Sequence, residues 1–411
     1  MKRLAIYAGA LMMVLPFFSN AQESKKETKF GVEWHGYVNY EMMYDSRKMV
    51  TAREGDVLLF PAAVKLDENG NDLNAKGSLN MLTVNSRLQA KISGPDAFGA
   101  KTSGMISGDF YGTTNDNINL LRLRHAFVKL NWENTELLFG QTWHPMFVTS
   151  CFPKVLSFGA AVPFGTLSRA PQIRLTHKLG KFKVMLAAMS QRDFTSTGPL
   201  GGNSTYLQNS AIPEMAAQLS YANGGFFTAL TASYLVLQPR TETATAYQTD
   251  ETISGLNLNA VAKYSFKDLT MNVSGMYGQN LTNLVMLGGY AVTGISDDEY
   301  QYESYTNINT MAVWTDIYTH FKKVNFGLFA GYTSNLGSKE ATTNVAYARG
   351  ANIDFAYRIS PRVVFTSGKV NFGVEALYDG VAYGTPDANY HFENSEVVNG
   401  VRLMTSVKYS F

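Results

Sequence analysis

With one cysteine, Cys151, the chain has no internal disulfide and no multi-cysteine metal site. A barrel needs no disulfide to be stable, so the single thiol says little about compartment. Long hydrophobic runs are as scarce. Mean hydropathy is slightly negative, and the only extended run, Leu4–Phe18, is shorter than the roughly 20 residues of a spanning helix. Lys2 and Arg3 precede that run and Ser19-Asn20-Ala21 follow it. Residues 1–21 therefore read as a secretory signal cleaved before Gln22, in preference to a membrane anchor. Its removal deletes two positive charges and takes the formal net charge from +2 to roughly neutral. With no basic stripe or arm, no nucleic-acid partner is expected. Catalytic signatures are missing too: there is no G-x-S-x-G, H-E-x-x-H, Gly-rich phosphate loop or C-x-x-C. The six histidines are scattered, and neither a metal nor a cofactor is expected. The chain reads as a non-enzyme, and a barrel hydrolase with a Ser/His or Asp/His site on its outer rim is the alternative that motifs alone leave open.

What the chain has is aromatic residues, glycine and alternation: 25 Phe, 23 Tyr and 35 Gly against 12 Pro. In the last eleven residues, Val401, Leu403, Thr405, Val407, Tyr409 and Phe411 share one parity, and Arg402, Met404, Ser406, Lys408 and Ser410 the other. Successive strand residues point to opposite faces, so this is an apolar face backed by a polar one, ending on an aromatic residue. Near the start, Phe30, Val32, Trp34, Val38, Tyr40 and Tyr44 alternate with Glu33, His35, Tyr37, Asn39, Glu41 and Asp45. Two glutamates and a histidine on one face of a membrane strand require a watery interior. A membrane-crossing sheet must be closed, since lipid satisfies no free strand edge.

Read this way, the sequence predicts an all-β transmembrane antiparallel barrel of about sixteen strands over residues 30–411, after a short lead at 22–29. The predicted strands are 30–45, 80–93, 99–111, 120–131, 135–143, 171–179, 181–190, 212–221, 225–237, 253–266, 268–280, 303–319, 323–336, 344–365, 370–383 and 398–411. Connections alternate between short turns, such as Gly180 and Lys267-Asp268, and long polar loops at 46–79, 143–171, 191–211, 238–252 and 281–302. Short periplasmic turns and long external loops are the asymmetry of an outer-membrane barrel, which places the chain integrally in a bacterial outer membrane. Aromatic residues at the ends of the outward faces (Trp34, Tyr44, Tyr264, Phe266, Tyr277, Tyr332, Tyr378 and Tyr409) fit interfacial girdles better than a soluble β-sandwich or propeller. Two strands are ambiguous. Either parity of 309–320 could face lipid. In 120–130, turning Arg122 and Arg124 inward sends His125 and Lys129 outward, with His125 a candidate bulge. Leu82 and Val84 are expected to face lipid.

Function then rests with the inner wall. Candidate pore-lining and solute-binding residues are Arg87, Arg122, Arg124, Arg174, Arg358, Arg362, Glu33 and Asp109. Arg122 and Arg124 set two guanidinium groups about 7 Å apart along one strand. Such columns attract anions, and a guanidinium fork holds a carboxylate by two hydrogen bonds; alternatively, these arginines pair with the lumen acids and brace the wall. The loop at 143–171 is unusually apolar and predicts a segment folded into the pore as a constriction, with Arg169 and His144 near the narrowing. Packing against a neighbouring subunit is the other reading of this loop.

The stretches Arg122-Leu-Arg-His-Ala-Phe-Val128 and Leu137-Leu-Phe-Gly-Gln-Thr-Trp143, with Gly108-Asp109-Phe110 before them, resemble the core of DcaP-like outer-membrane porins. Arg358-Ile-Ser-Pro-Arg362, Ser367-Gly-Lys369 and Ala382-Tyr-Gly384 extend the resemblance from the third strand onward. It implies a sixteen-stranded homotrimeric porin with inward arginines that favour small anions such as dicarboxylates. Members of that family often carry a long N-terminal coiled coil; only Gln22–Lys29 precedes the first strand here, so no such stalk is expected. The expected function is passive diffusion of small hydrophilic, preferably carboxylate-bearing solutes. The alternative is a non-conducting structural or adhesion barrel working through its loops.

Overall fold

The computed structural model describes residues 30–411 except 298 and 344, so the signal segment and the short lead lie outside the described residues. Sixteen antiparallel strands close into a barrel. In chain order they are β1 (Gly31–Asp45), β2 (Ser78–Leu82 continued by Arg87–Ser93), β3 (Lys101–Asp109), β4 (Arg122–Asn131), β5 (Thr135–Trp143), β6 (Arg169–Leu179), β7 (Phe182–Met189) and β8 (Glu214–Asn223). The second half comprises β9 (Phe226–Leu237), β10 (Ile253–Ser265), β11 (Leu269–Gln279), β12 (Glu303–Thr319), β13 (Val324–Ser338), β14 (Ile353–Ser367), β15 (Val370–Pro386) and β16 (Phe392–Ser410). Among the described residues no helix is long and apolar enough to cross a membrane; the strands do so instead. Closure comes from β16 pairing with β1, from Tyr37 opposite Ser410 to Asp45 opposite Arg402. Phe411 completes it, exchanging both backbone hydrogen bonds with Gly36 at 3.1 and 3.2 Å.

The expected parity governs the wall. Trp34, Tyr44, Tyr264, Phe266, Tyr277, Tyr378 and Tyr409 are exposed on the outer surface, with Tyr332 half-buried beside Phe355. Inside, Asn39, Glu41, Asn257, Asn259, Thr310, Asp316, Ser360, Glu375 and Ser406 are buried. The ambiguous strand β12 resolves with Thr310, Ala312, Trp314 and Asp316 inward and Met311 and Val313 outward.

Three local expectations are corrected. In β4, Ser107 pairs with His125 but Gly108 with Leu123, so Arg124 is an extra residue on that strand. This bulge shifts the alternation by one position. Arg122 and Arg124 point inward before it; His125 and Lys129 point inward after it, rather than toward lipid. His125 meets Thr142 at 3.1 Å, and the Lys129 ammonium meets Glu136 at 2.8 Å. In β2, a turn at Thr83–Ser86, closed by Ser86 N–H to the Thr83 carbonyl at 3.1 Å, breaks the strand. Leu79 and Met81 are therefore exposed, whereas Leu82 and Val84 are buried with Met43, Tyr111 and Met404. Finally, the expected strand 344–365 is two pieces: Ala346–Arg349 leaves the wall to pair with Gly288–Ile295 of the preceding external loop.

Seven short turns lie on the side of both barrel ends, and eight connections, all but the last of them longer than any of these turns, lie opposite. Gly180 and Gly368, with φ of +61° and +57°, make two-residue turns that a Cβ would strain. The external loops do not all stay outside. The apolar core sits within the barrel and combines Val57, Leu59 and Phe60 of the first loop with Val148, Cys151, Val162 and Phe164 of the third. Val285 and Leu287 of the sixth loop and Trp314 and Phe329 of the wall complete it. Each such side chain contributes about 1.5–3 kcal/mol on burial, enough in sum to hold the loops in. The first and sixth loops are thus not the polar external segments that their composition suggested.

Candidate pore and its arginine cluster

The third loop runs through the lumen, not against an outer face. Its backbone amides at Leu156 and Ser157 donate to Glu375 Oε2 of β15 at 2.6 and 3.1 Å, and that at Lys154 donates to Asp316 Oδ2 of β12 at 2.7 Å. Its carbonyls accept from Gln218 (to Pro145, 3.2 Å), Asn259 (to Met146, 2.9 Å) and Asn272 (to Phe152, 3.0 Å) on β8, β10 and β11. Two wall glycines let it approach: a Cβ at Gly331 would lie 2.6 Å from the Phe164 ring, and one at Gly373 2.5 Å from Leu156. His144 begins the loop. Its Nδ1 accepts from the Met146 N–H at 3.2 Å, which leaves Nε2 to donate to Glu214 at 2.9 Å. His144 therefore ties the loop to β8.

Opposite that crossing, six arginines from β2, β4, β6 and the first loop come together, Arg53, Arg87, Arg122, Arg124, Arg169 and Arg174, while Arg47 of the same loop pairs away with Asp72 at 3.0 Å. Asp109 takes Arg122 through Nε and a terminal nitrogen at 3.0 and 2.9 Å, and Arg124 at 2.6 Å. Asp193, from the fourth loop, takes Arg169 at 2.7 Å and lies 3.5 Å from the other terminal nitrogen of Arg122. Arg124 and Arg169 also lie over the Trp143 ring, 5.6 and 4.8 Å from its centroid. Arg87 lies over Tyr37 at 5.0 Å, and Arg174 donates to Gln172 at 2.8 Å and to the Trp143 carbonyl. Among the described residues neither makes an ion pair, nor does Arg53. Tyr111 donates to Asp56 of the first loop, while burial raises the pKa of the Asp56 carboxyl from its ordinary value. Even with Asp56, its neighbour Glu41 and Glu136 counted as fully charged, six guanidinium groups face five carboxylates here, and Lys129 already pairs with Glu136.

The other wall is different. Arg358 pairs with Asp379 at 2.7 Å, Arg362 with Asp316 at 2.7 and 3.0 Å, and Arg402 with Asp45 at 2.7 Å through both nitrogens. With Glu375 nearby, three arginines meet four acids. The expectation that Arg358 and Arg362 form a free anion-attracting column is corrected: both are committed to carboxylates. Arg358 in addition donates to the carbonyls of Val162, Leu58 and Leu59, at 3.1, 3.4 and 3.2 Å. One guanidinium thus clamps the first and third loops to the wall.

Two cavities flank the arginine cluster. One, of about 440 Å³, lies toward the short turns and is lined by Lys129, Glu136, Trp143, Arg174, Lys178 and Lys183, among others. The other, of about 450 Å³, lies among the external loops and is lined by Arg53, Asp193 and Arg349 with Thr113, Thr195 and Thr197. Arg169 touches Trp143 on one side and Asp193 on the other, so the cluster stands between them. Glu33 sits apart at the turn-side mouth, 3.5 Å from His35. Among the described residues no group of three or more His, Cys, Asp or Glu is placed to hold a metal. Residues of the site that sequence reasoning passed over, Arg53, Asp193 and Arg349, all come from loops. The signal for the first loop was present in the apolar run Val57-Leu-Leu-Phe60 inside an otherwise polar stretch.

Residues 23–347 match the family model described as DcaP outer membrane protein. Among solved structures, the chain is similar to the outer membrane channel DcaP of Acinetobacter baumannii, with 19% identity, a TM-score of 0.68, and coverage of 95% of this chain and 99% of that one. It is also similar to an anion-selective porin from Comamonas acidovorans (11% identity, TM-score 0.56, coverage 93% and 100%). The trimer form of OmpT of Vibrio cholerae is a further neighbour (9% identity, TM-score 0.56, coverage 93% and 99%). No curated protein matches the sequence.

Proposed function

We propose that this chain, which belongs to the DcaP outer membrane protein family and is an integral outer-membrane barrel, passes small hydrophilic solutes with a preference for anions. The observation that carries the preference is the arginine surplus on β2–β6. A low-dielectric wall with more guanidinium than carboxylate groups, opposite a wall whose arginines are each paired with an acid, biases the narrow region toward anions. An anion entering from the outer cavity meets Arg122, Arg124 and Arg169, then Arg174, Lys178 and Lys183 in the inner one. The carboxylates Asp109 and Asp193 keep the cluster from holding an anion too tightly to release it. Carboxylate-bearing solutes fit best, because Arg87 and Arg174 have fork positions not bonded to an acid. A homotrimer is the assembly we favour, in keeping with the trimeric form of the Vibrio cholerae neighbour.

The lumen-filling loops favour a second reading, a barrel that does not conduct and works through its external surface. Planar-bilayer recording separates the two. Discrete conductance steps from the purified full chain support the channel, and their absence at protein levels that insert reproducibly overturns it.

A further inference from the structure

We infer a second anion site above the arginine cluster, in the outer cavity between Arg53 of the first loop and Arg349 of the hairpin strand Ala346–Arg349. Its ligand class is a small dianion bearing two oxyanion groups or one doubly charged one. The inference rests on the anion-preferring reading above and assigns it a capture step.

Arg53 is the principal reason. It is 5% exposed, yet among the described residues its side chain has neither an ion pair nor a hydrogen bond, and its Nε is buried with no partner. A buried guanidinium without an acceptor is costly, so an acceptor belongs beside it. Its nearest groups do not serve: the Phe194 ring lies 5.8 Å from the guanidinium carbon, and Asp193 is already taken by Arg169. Burial, followed by the neighbouring Arg122 charge, lowers the Arg53 pKa from its ordinary value, and Asp193 and Asp109 only partly oppose this.

The placement of Arg53 is built in. Arg53, Glu54 and Gly55 all have left-handed backbones, with φ of 58°, 52° and 100°, which non-glycine residues rarely adopt. The turn is held from two sides. The Glu54 N–H donates to Asn115 Oδ1 at 3.1 Å, and the Gly55 carbonyl accepts from Arg402 at 2.6 Å. Across the same cavity, among the described residues, the Arg349 side chain donates only to the Thr282 carbonyl, at 3.4 Å, and its Nε too is buried without a partner. Two guanidinium groups with vacant donors, in a cavity that Thr113, Thr195 and Thr197 also line, suit a doubly charged oxyanion.

Sulfate is the probe, titrated calorimetrically into the detergent-solubilised full chain. The expected result is one saturable site, weakened about tenfold or more by Arg53→Gln and by Arg349→Gln. Arg53→Lys should recover part of the affinity, because it keeps the charge and loses the fork. Heat-modifiable migration on gels identifies any variant whose barrel has not folded, and for such a variant the Lys substitution at the same position takes its place. No saturable sulfate heat, or equal affinity in wild type and both Gln variants, overturns the site. The zero-current potential of the same preparations separates the two readings. Anion preference without sulfate binding removes only this site, whereas cation preference removes the anion-preferring reading and leaves the sulfate result standing on its own.

Discussion

Arg358→Met isolates a side chain that fastens two inserted loops to the barrel. The guanidinium is 1% exposed; its Nε holds Asp379 at 2.7 Å, and its terminal nitrogens reach carbonyls of both loops. Methionine keeps the stem and removes every donor, leaving Asp379 buried without its partner. Breaking one side of a buried pair costs about 3–5 kcal/mol, and the loop carbonyls lose charged donors worth about 1.5–3 kcal/mol each before water replaces them. Arg358→Met should therefore lower the unfolding free energy, from urea titration of the refolded barrel in detergent, by about 3–5 kcal/mol. Arg358→Met combined with Asp379→Leu removes the stranded carboxylate and should recover much of that loss. Loop release, by contrast, persists in the double variant, so both variants should show larger and noisier single-channel conductance than wild type. A single variant costing under about 1 kcal/mol with unchanged conductance would refute the clamp.

Two other perturbations test separate parts of the account. Cys151 is buried in the third loop, donates to the Ala262 carbonyl at 3.4 Å, and has its thiol pushed up to about 11 by burial. Because thiolate is the reactive form, native protein should label with maleimide at least about a hundredfold more slowly than urea-unfolded protein at neutral pH. Labelling at the unfolded rate would mean that the third loop is not seated in the lumen. Asp193→Asn removes the carboxylate that Arg169 holds at 2.7 Å. It should shift the zero-current potential further toward that of chloride and lower stability, and a shift toward potassium would contradict the cluster's assignment.

Much of the architecture was legible because strand parity is a local property. Val401–Phe411 displays its two faces without any knowledge of its neighbours, and so does Phe30–Asp45. Turns such as Gly180 were legible because few residues adopt their backbone conformation. Parity failed where one extra residue shifted the phase, at Arg124, and where a turn broke a strand, at Thr83–Ser86. A strand read alone gives no sign of a bulge except an awkward residue, and His125 was that residue. The arginines were placed on the correct face, but their partners were not visible. Arg122 meets Asp109 because β3 and β4 are neighbours in register, which nearby strands permit one to guess. Arg362 meets Asp316 across an intervening strand, and Arg169 meets Asp193 through a folded loop; both depend on tertiary closure. The inserted first loop was missed for a different reason. Its length and charged flanks outweighed the four apolar residues that take it inside.

The most direct test of the central claim is the zero-current potential of the reconstituted channel in a potassium chloride gradient. If the surplus of Arg53, Arg87, Arg122, Arg124, Arg169 and Arg174 sets the field, the potential takes the sign of the chloride equilibrium potential and moves toward zero in Arg87→Gln combined with Arg174→Gln. A potential with the sign of potassium in the wild-type channel would contradict the account.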